Sequence, residues 1–375
     1  MKVQQFALMP YSWKEDISKI TIPANLFIMF VSPQFKERAE VLAYLNKNYP
    51  DATVVGCSTA GEINDVHVND YSISLSAVQL EKVKHRLEMV EVTDMKYSYK
   101  SGQELATKLN RPNLKHLLVL SDGLNVNGAD LVSGLRDVLP DVSITGGLAA
   151  DGPDFKATFL IANQSIEANR IIGLGLYGDE LKVGYSSKGG WDSFGIERLV
   201  TRSHKNVLYE LDGYPALKVY KSFLGDEAKN LPSSALLFPL KMRDNESDKP
   251  LVRTVLGVNE ENQSMTFAGN IHQGSYVKLM KANIDRLIDG AEDSAKTANE
   301  IVKESADLAI LISCVGRRLV LKQLIEEEVE VVREVIGEKP KITGFYSYGE
   351  IAPHGEFSPC ELHNQSMTIT TLTEC

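Results

Sequence analysis

The sequence predicts an α/β protein of mixed α+β character. It divides into two domains, residues 1–190 and 191–375, each a mixed β-sheet layered with helices. Three observations predict this. First, three stretches repeat one plan: a buried strand, a helix, a second strand ending in glycine, then a further strand. Such crossovers make parallel pairs, taken as right-handed. Second, the glycine turns that end the repeats are related. They read Gly56-Cys-Ser-Thr-Ala-Gly-Glu-Ile63, Gly146-Gly-Leu-Ala-Ala-Asp-Gly152 and Gly344-Phe-Tyr-Ser-Tyr-Gly-Glu-Ile351. Third, 375 residues exceed one typical core, and an apolar fraction of 43% with 24% charged residues is ordinary for a globular protein.

The elements follow in order. Residues 26–31 are apolar on both faces and form a strand covered on both sides. Residues 34–48 carry Ala39, Leu42 and Leu45 at helical spacing and are stopped by Pro50. Residues 72–78 alternate strictly, the mark of an antiparallel strand with one buried and one wet face. The second unit runs from a strand at 116–120 through a helix at 128–139 to a strand at 157–161. Strands at 171–177 and 181–187 are joined by Gly178-Asp179, a tight hairpin signal. Lys188-Gly-Gly190 marks the domain boundary.

Beyond it the sequence predicts strands at 198–203 and 206–211, and a helix opening at Pro215 and ending before Gly225. Strands at about 234–240, 251–258, 263–268 and 275–280 come next. A long helix at 283–306 stripes Ile284, Leu287, Ile288, Ala291, Ala295, Ala298 and Val302 along one face. The third unit then has a strand at 308–313, a helix at 317–337 and a strand at 367–370.

The net charge of −10 is spread along the chain, which argues against nucleic acid or an anionic membrane as partner. No apolar leader or bilayer-length run is visible. The four cysteines, Cys57, Cys314, Cys360 and Cys375, are scattered as in reduced proteins, so the expectation is cytoplasmic. Enzyme signatures are missing. Gly173-Leu-Gly-Leu-Tyr-Gly178 fits a dinucleotide fingerprint in letters only, because a strand follows it. There is no phosphate-binding loop, zinc-protease motif or nucleophile elbow, and nothing places a base beside Cys57.

Three constellations carry chemistry. The two turns ending in Gly-Glu present Cys57, Ser58, Thr59 and Glu62, and Tyr346, Ser347, Tyr348 and Glu350. Hydroxyls with a carboxylate suit a small polar ligand with a cationic group; the alternative is that the glutamates bridge neighbouring loops. In Ser313-Cys314-Val-Gly-Arg317-Arg318, either arginine is placed to clamp a carboxylate, while Asp122 stands at the equivalent junction of the second unit. Opposite charges at equivalent rims suit a zwitterion such as an amino acid. Finally, Cys360 and His363 are three apart, with His354 upstream and Asn364 next, a spacing compatible with one metal or haem iron. The alternative is a loop histidine bonded to backbone. Zinc lacks two further ligands.

These motifs resemble the FIST family of two-domain sensory proteins. Gly56-Cys-Ser-Thr-Ala-Gly-Glu-Ile63 resembles the signature of its N-terminal domain. Asn206-Val-Leu-Tyr-Glu-Leu-Asp-Gly213 with Pro215-Ala-Leu, Ser313-Cys-Val-Gly-Arg317, Tyr348-Gly-Glu-Ile351 and Leu362-His-Asn-Gln-Ser-Met-Thr368 resemble the C-terminal one. Ser187-Lys-Gly-Gly-Trp191 departs from the glycine-cysteine turn of many relatives. The resemblance implies a stand-alone cytoplasmic sensor without catalytic residues. Its amino-acid-like ligand would be held by Cys57, Ser58, Thr59, Glu62, Asp122, Cys314, Arg317, Ser347, Tyr348, Glu350 and Asn364. It also implies a separate signalling partner, a histidine kinase of a two-component system or a diguanylate cyclase or phosphodiesterase, to which the charged face of the 283–306 helix could dock. The alternative drawn from a subset of the family is a nitric oxide sensor binding haem through His363, Cys360 or His354.

Overall fold

A computed structural model describes residues 1–231, 233–245 and 250–375 and turns the repeated plan into a ring of three units. The first comprises β1 (Lys2–Leu8), α1 (Trp13–Ile17), β2 (Leu26–Val31), α2 (Arg38–Asn48), β3 (Thr53–Ser58), the hairpin β4 (Glu62–Asn64) and β5 (His67–Asn69), and β6 (Ile73–Gln79). The second repeats it as β7 (Lys84–Glu91), α3 (Ser98–Leu109), β8 (Leu114–Ser121), α4 (Gly128–Val138), β9 (Ser143–Leu148), β10 (Leu160–Ala162), β11 (Ser165–Glu167) and β12 (Arg170–Tyr177). The third opens with β13 (Leu181–Lys188) and is interrupted by an inserted sheet. That insert holds β14 (Trp191–His204), β15 (Val207–Leu211), β16 (Tyr214–Pro215), α5 (Ala216–Leu224), β17 (Leu240–Arg243), β18 (Leu251–Arg253), β19 (Val255–Asn259), β20 (Ser264–Phe267) and β21 (Tyr276–Ala282). The unit resumes with α6 (Ile284–Val302), β22 (Leu308–Cys314), α7 (Val315–Leu321), α8 (Glu327–Ile336), β23 (Lys341–Ser347), β24 (Gly349–Pro353), β25 (Cys360–His363) and β26 (Met367–Glu374).

The units interlock by exchanging hairpins. The sheet orders are β1-β6-β2-β3-β10-β11, β7-β12-β8-β9-β24-β25 and β13-β26-β22-β23-β4-β5, so each unit lends its short hairpin to the next sheet around the ring. In these three sheets β2–β3, β8–β9 and β22–β23 are parallel and all other pairs antiparallel. Sheet hydrogen bonds therefore cross residue 190 at β4–β23, β13–β26 and β24–β9. Gly56, Gly146 and Gly344 explain the parallel pairs. A Cβ at any of them would collide with the backbone oxygen of Met29, Val119 or Leu311 on the adjacent first strand.

The inner faces of the three sheets meet on the ring axis. Ile28 and Phe30, Leu118 and Leu120, and Ile310 and Ile312 occupy equivalent positions and share one buried cluster. Helices cover the outside. Val41, Leu42 and Leu45 of α2 pack over the first sheet, and α3, α4, α6 and α8 over the other two. Leu287, Ala291, Ala295, Ala298 and Val302 of the α6 stripe are buried as expected, whereas Ile288 is half-buried and Ile284, at the start of the helix, is exposed. The insert has its own core around Leu208, Leu217, Tyr220 and Phe267. Among the described residues no helix is long and apolar enough to cross a membrane.

Five expectations are corrected. Gly178-Asp179 is no hairpin: both edges of β12 are taken by β7 and β8, so β13 passes on to β26 in another sheet. The face of β6 expected to be wet is buried, its hydroxyls being used internally. Ser74 Oγ donates to Ile63 O at 2.7 Å and Ser76 Oγ bonds the Gln5 side chain. The helix expected at 317–337 breaks at Lys322, whose φ is 51°, and restarts as α8 with three glutamates in its first turn, where a helix favours negative charge. Residues 233–237 form a 3-10 turn that tucks Ala235 and Leu236 inward, where a strand was expected. Finally, the stretch at 198–203 belongs to the long strand β14, and that at 251–258 divides between β18 and β19.

Candidate binding site at the meeting of the three turns

The parallel strands of each unit end at one rim, where ligands bind in open α/β sheets. Backbone hydrogen bonds join the three turns in a cycle. Ala60 N–H donates to Tyr346 O at 2.8 Å, Ala150 N–H to Ser58 O at 2.9 Å and Tyr348 N–H to Leu148 O at 3.3 Å. Each bond runs from one turn to the second strand of the preceding unit, so the turns are held together through main chain.

The two turn glutamates lie behind this ring in matching cages. Thr59 Oγ1 donates to Glu62, whose other oxygen accepts from Ser72 N–H at 3.2 Å and Ser72 Oγ at 2.8 Å. Ser347 Oγ donates to Glu350 at 2.6 Å, whose other oxygen accepts from Ser366 N–H at 3.2 Å and Ser366 Oγ at 2.9 Å. Burial raises the Glu62 carboxyl to about 7 and the Glu350 carboxyl to about 8, against the pull of those donors. In the second unit Asp122 does the equivalent work from the end of β8. It accepts from the N–H groups of Leu124, Asn125 and Asn169 and from Thr158 Oγ1. Asn169 occupies the place of Ser72 and Ser366, directly before the last strand of its unit.

A chamber of about 580 Å³ opens in front of the first turn. Thr59, Ala60 and Gly61 form one wall, Ser32 and Gln34 follow β2, and Asp70 and Tyr71 precede β6. Arg318, Leu319 and Lys322 border it from the third unit, and Gly152 and Pro153 from the second. Arg318 is fixed on three sides. It donates to Ala60 O, pairs with Asp70 at 2.7 Å and lies over the Tyr346 ring at 5.7 Å. Gly61, at φ 131°, is required there, because a Cβ would meet the guanidinium. Lys322 has no ion pair among the described residues.

Of the two arginines weighed from sequence, Arg318 reaches the chamber. Arg317 is fully buried and donates to Glu328 at 2.8 Å, Leu287 O at 2.7 Å and Gly189 O at 3.0 Å. Glu328 also accepts from Tyr346 O–H at 2.6 Å and Ser313 Oγ at 3.2 Å. Tyr348 borders a smaller chamber of about 190 Å³ with Gly123, Asn127 and Phe155. Its hydroxyl lies between the Asp151 carboxylate and Gly152 O, accepts from Asp151 and Phe155 N–H, and its ring stacks on Phe155 at 4.3 Å. Ser58 Oγ accepts from Phe159 N–H, and Asn364 Oδ1 faces Thr254 N–H at 3.4 Å. Cys57 and Cys314 are buried, and burial pushes both thiols up. The structure thus brings Thr59 and Arg318 to the chamber and Tyr348 beside it. Glu62, Glu350, Asp122, Ser58, Ser347 and Arg317 are engaged in bonds behind it. Ser32, Gln34, Asp70, Tyr71 and Lys322 went unread; Ser32 was findable as the strand-end equivalent of Asp122.

Two of the three residues named for haem, His363 and Cys360, are committed to backbone. His363 is 4% exposed and its Nε2 lies 2.8 Å from Ala352 O, with the His354 ring edge-on at 4.4 Å. Burial lowers the His363 imidazole to about 3. Cys360 Sγ bonds Ile144 O at 3.3 Å. An iron would have to displace backbone on β24 or β9 to reach either. Among the described residues no group of three His, Cys, Asp or Glu is arranged to hold a metal ion. A larger cavity of about 800 Å³, lined by Arg136, Tyr185, Phe357 and Cys360 among others, contains none of the turn residues. The chamber of about 580 Å³ differs from it in being lined by first- and second-turn residues together with Asp70, Arg318 and Lys322.

Sequence models of two domains match this chain, the FIST N domain over residues 25–214 and the FIST C domain over 216–353. An uncharacterized protein of Methanocaldococcus jannaschii is 25% identical over 348 residues, covering 84% of this chain. The matched region spans 64% of that relative's length. Among solved structures, a cyanuric acid hydrolase from A. caulinodans aligns over 100% of this chain and 99% of its own, at 7% identity and a TM-score of 0.37.

Proposed function

The chain belongs to the FIST family, and on that premise we propose that it senses a small amino-acid-like ligand in the chamber before the first turn. FIST domains are sensory domains of signalling proteins. The observation that carries the reading is the charge arrangement of the chamber. Lys322, without an ion pair among the described residues, borders it together with the Arg318–Asp70 pair, Ser32 and Thr59. A carboxylate suits the cations and an ammonium suits Asp70, which is the head of an amino acid. Binding without turnover suits the site, since the Cys57 thiol is buried away from the chamber and the Thr59 and Ser32 hydroxyls donate to Glu62 and Gln34. The bound state would be read by a cytoplasmic signalling protein, a histidine kinase or a cyclic-di-GMP enzyme. The polar face of α6, with Asp285, Asp289, Glu292, Lys296 and Glu300, is its docking surface in this reading.

Calorimetry with a panel of amino acids tests this. Lys322→Ala and Asp70→Asn each remove a charged contact and should weaken binding by roughly tenfold. Unchanged affinity in both variants would remove the chamber from consideration.

A further inference from the structure

The charged chamber does not end at Leu319. Pro153 and Leu319 also border a second chamber of about 690 Å³, between the loop after β9 and the inserted sheet. Its lining changes character: Phe155, Leu236, Val255 and Leu256 join Pro153 and Leu319 there. Phe155 and Leu256 continue in turn into the Tyr348 chamber. The charged chamber and the apolar surface contributed by the insert thus lie on the two sides of Pro153 and Leu319. Leu256 is 40% exposed although its neighbours Val255 and Leu236 are 1% and 7% exposed. Its side chain stands over a cavity rather than completing the core beneath.

We infer that the ligand carries a large apolar arm: a 2-amino acid whose head lies between Lys322 and Asp70 and whose side chain runs past Leu319 onto Phe155, Leu236 and Leu256. This rests on the reading of the charged chamber as an amino-acid site. Two arguments join head and arm. The chambers adjoin at Pro153 and Leu319, which border both, so the arm has only these two side chains to pass over. The arm also has a reason to enter, because covering apolar surface is favourable at about 25 cal/mol per Å². A compact polar amino acid would leave that surface wet. The insert then has a role at the site, since Leu236 in its 3-10 turn and Val255 and Leu256 in β19 all belong to it.

The test is a homologous series of 2-amino acids, from alanine through norvaline to 2-aminooctanoate, titrated into the whole chain. Affinity should rise about threefold for each methylene that reaches the apolar chamber. In Leu256→Glu the rise should vanish while the affinity for alanine persists. In Lys322→Ala the whole series should weaken together. A flat series in the wild type, with alanine binding still sensitive to Lys322→Ala, would overturn the apolar arm and leave the amino-acid site standing. A rising series indifferent to Lys322→Ala and Asp70→Asn would overturn the amino-acid site and this inference with it. Failure of every member to bind would do the same.

Discussion

Replacing Glu350 by glutamine should abolish a pH dependence of stability that the wild type carries. The carboxyl sits fully buried with one oxygen against Ser347 Oγ and the other accepting from Ser366. Burial raises it from 4.5 to about 8, so the folded protein holds a proton there that the unfolded chain releases. The sign follows from that difference. Below pH 4.5 both states are protonated and the group contributes fully; as pH rises the unfolded chain gains by ionising, and the contribution falls until about pH 8. At 1.36 kcal/mol per pH unit the loss across this window is on the order of 5 kcal/mol. When protonated, the carboxyl donates to Ser347 Oγ and still accepts from Ser366, and a glutamine amide reproduces that pattern without titrating. Chemical denaturation of wild type and Glu350→Gln at intervals from pH 5 to 9 isolates the effect, because every other titrating group cancels in the difference. The variant should gain on the wild type steadily up to about pH 8 and then run parallel to it. Curves that stay parallel over the whole range would refute the argument.

Three further outcomes follow from the same geometry. Arg317→Met strands the buried Glu328 carboxylate and should cost about 3–5 kcal/mol in urea denaturation. The double variant with Glu328→Gln should lose less than the sum of the singles, and a loss under about 1 kcal/mol in the single would contradict the buried pairing. Tyr348→Phe removes the hydroxyl holding Asp151, Gly152 and Phe155. It should lower stability by about 1–3 kcal/mol and speed amide exchange in the loop at 152–157; unaltered exchange there would refute the clamp. Protein expressed with haem precursor should show no Soret band, and a band lost in a folded His363→Ala variant would reverse the account of that histidine.

Much of the fold was legible because its signals are local. Gly56, Gly146 and Gly344 announce themselves, since no other residue permits that approach of the first strand, and the buried strands before them are unbroken apolar runs. The exchange of hairpins was not legible: β4 finds its partner β23 nearly three hundred residues away, and strand patterns do not name partners. The repeated glutamate pointed to a shared role, but the role is the Ser72 and Ser366 cage. Those serines lie ten and sixteen residues beyond their glutamates, so unequal hairpin lengths hide the correspondence. Lys322 was missed because the apolar spacing across 317–337 reads as one helix, and only the backbone break at that residue brings its amine to the chamber. Asp70 and Tyr71 sit in a turn before β6 and carry no pattern at all.

The central claim is that ligand binds in the chamber before the first turn, and a hydrogen-exchange footprint tests it most directly. The amino acid that binds tightest in the titrations is added to the whole chain, and amide exchange is compared with and without it. Protection at residues 59–61, 70–72 and 318–322, spreading to 153–155, is the result predicted. Protection confined to residues 136–143 and 357–360, around the separate cavity beside Arg136 and Tyr185, would contradict it.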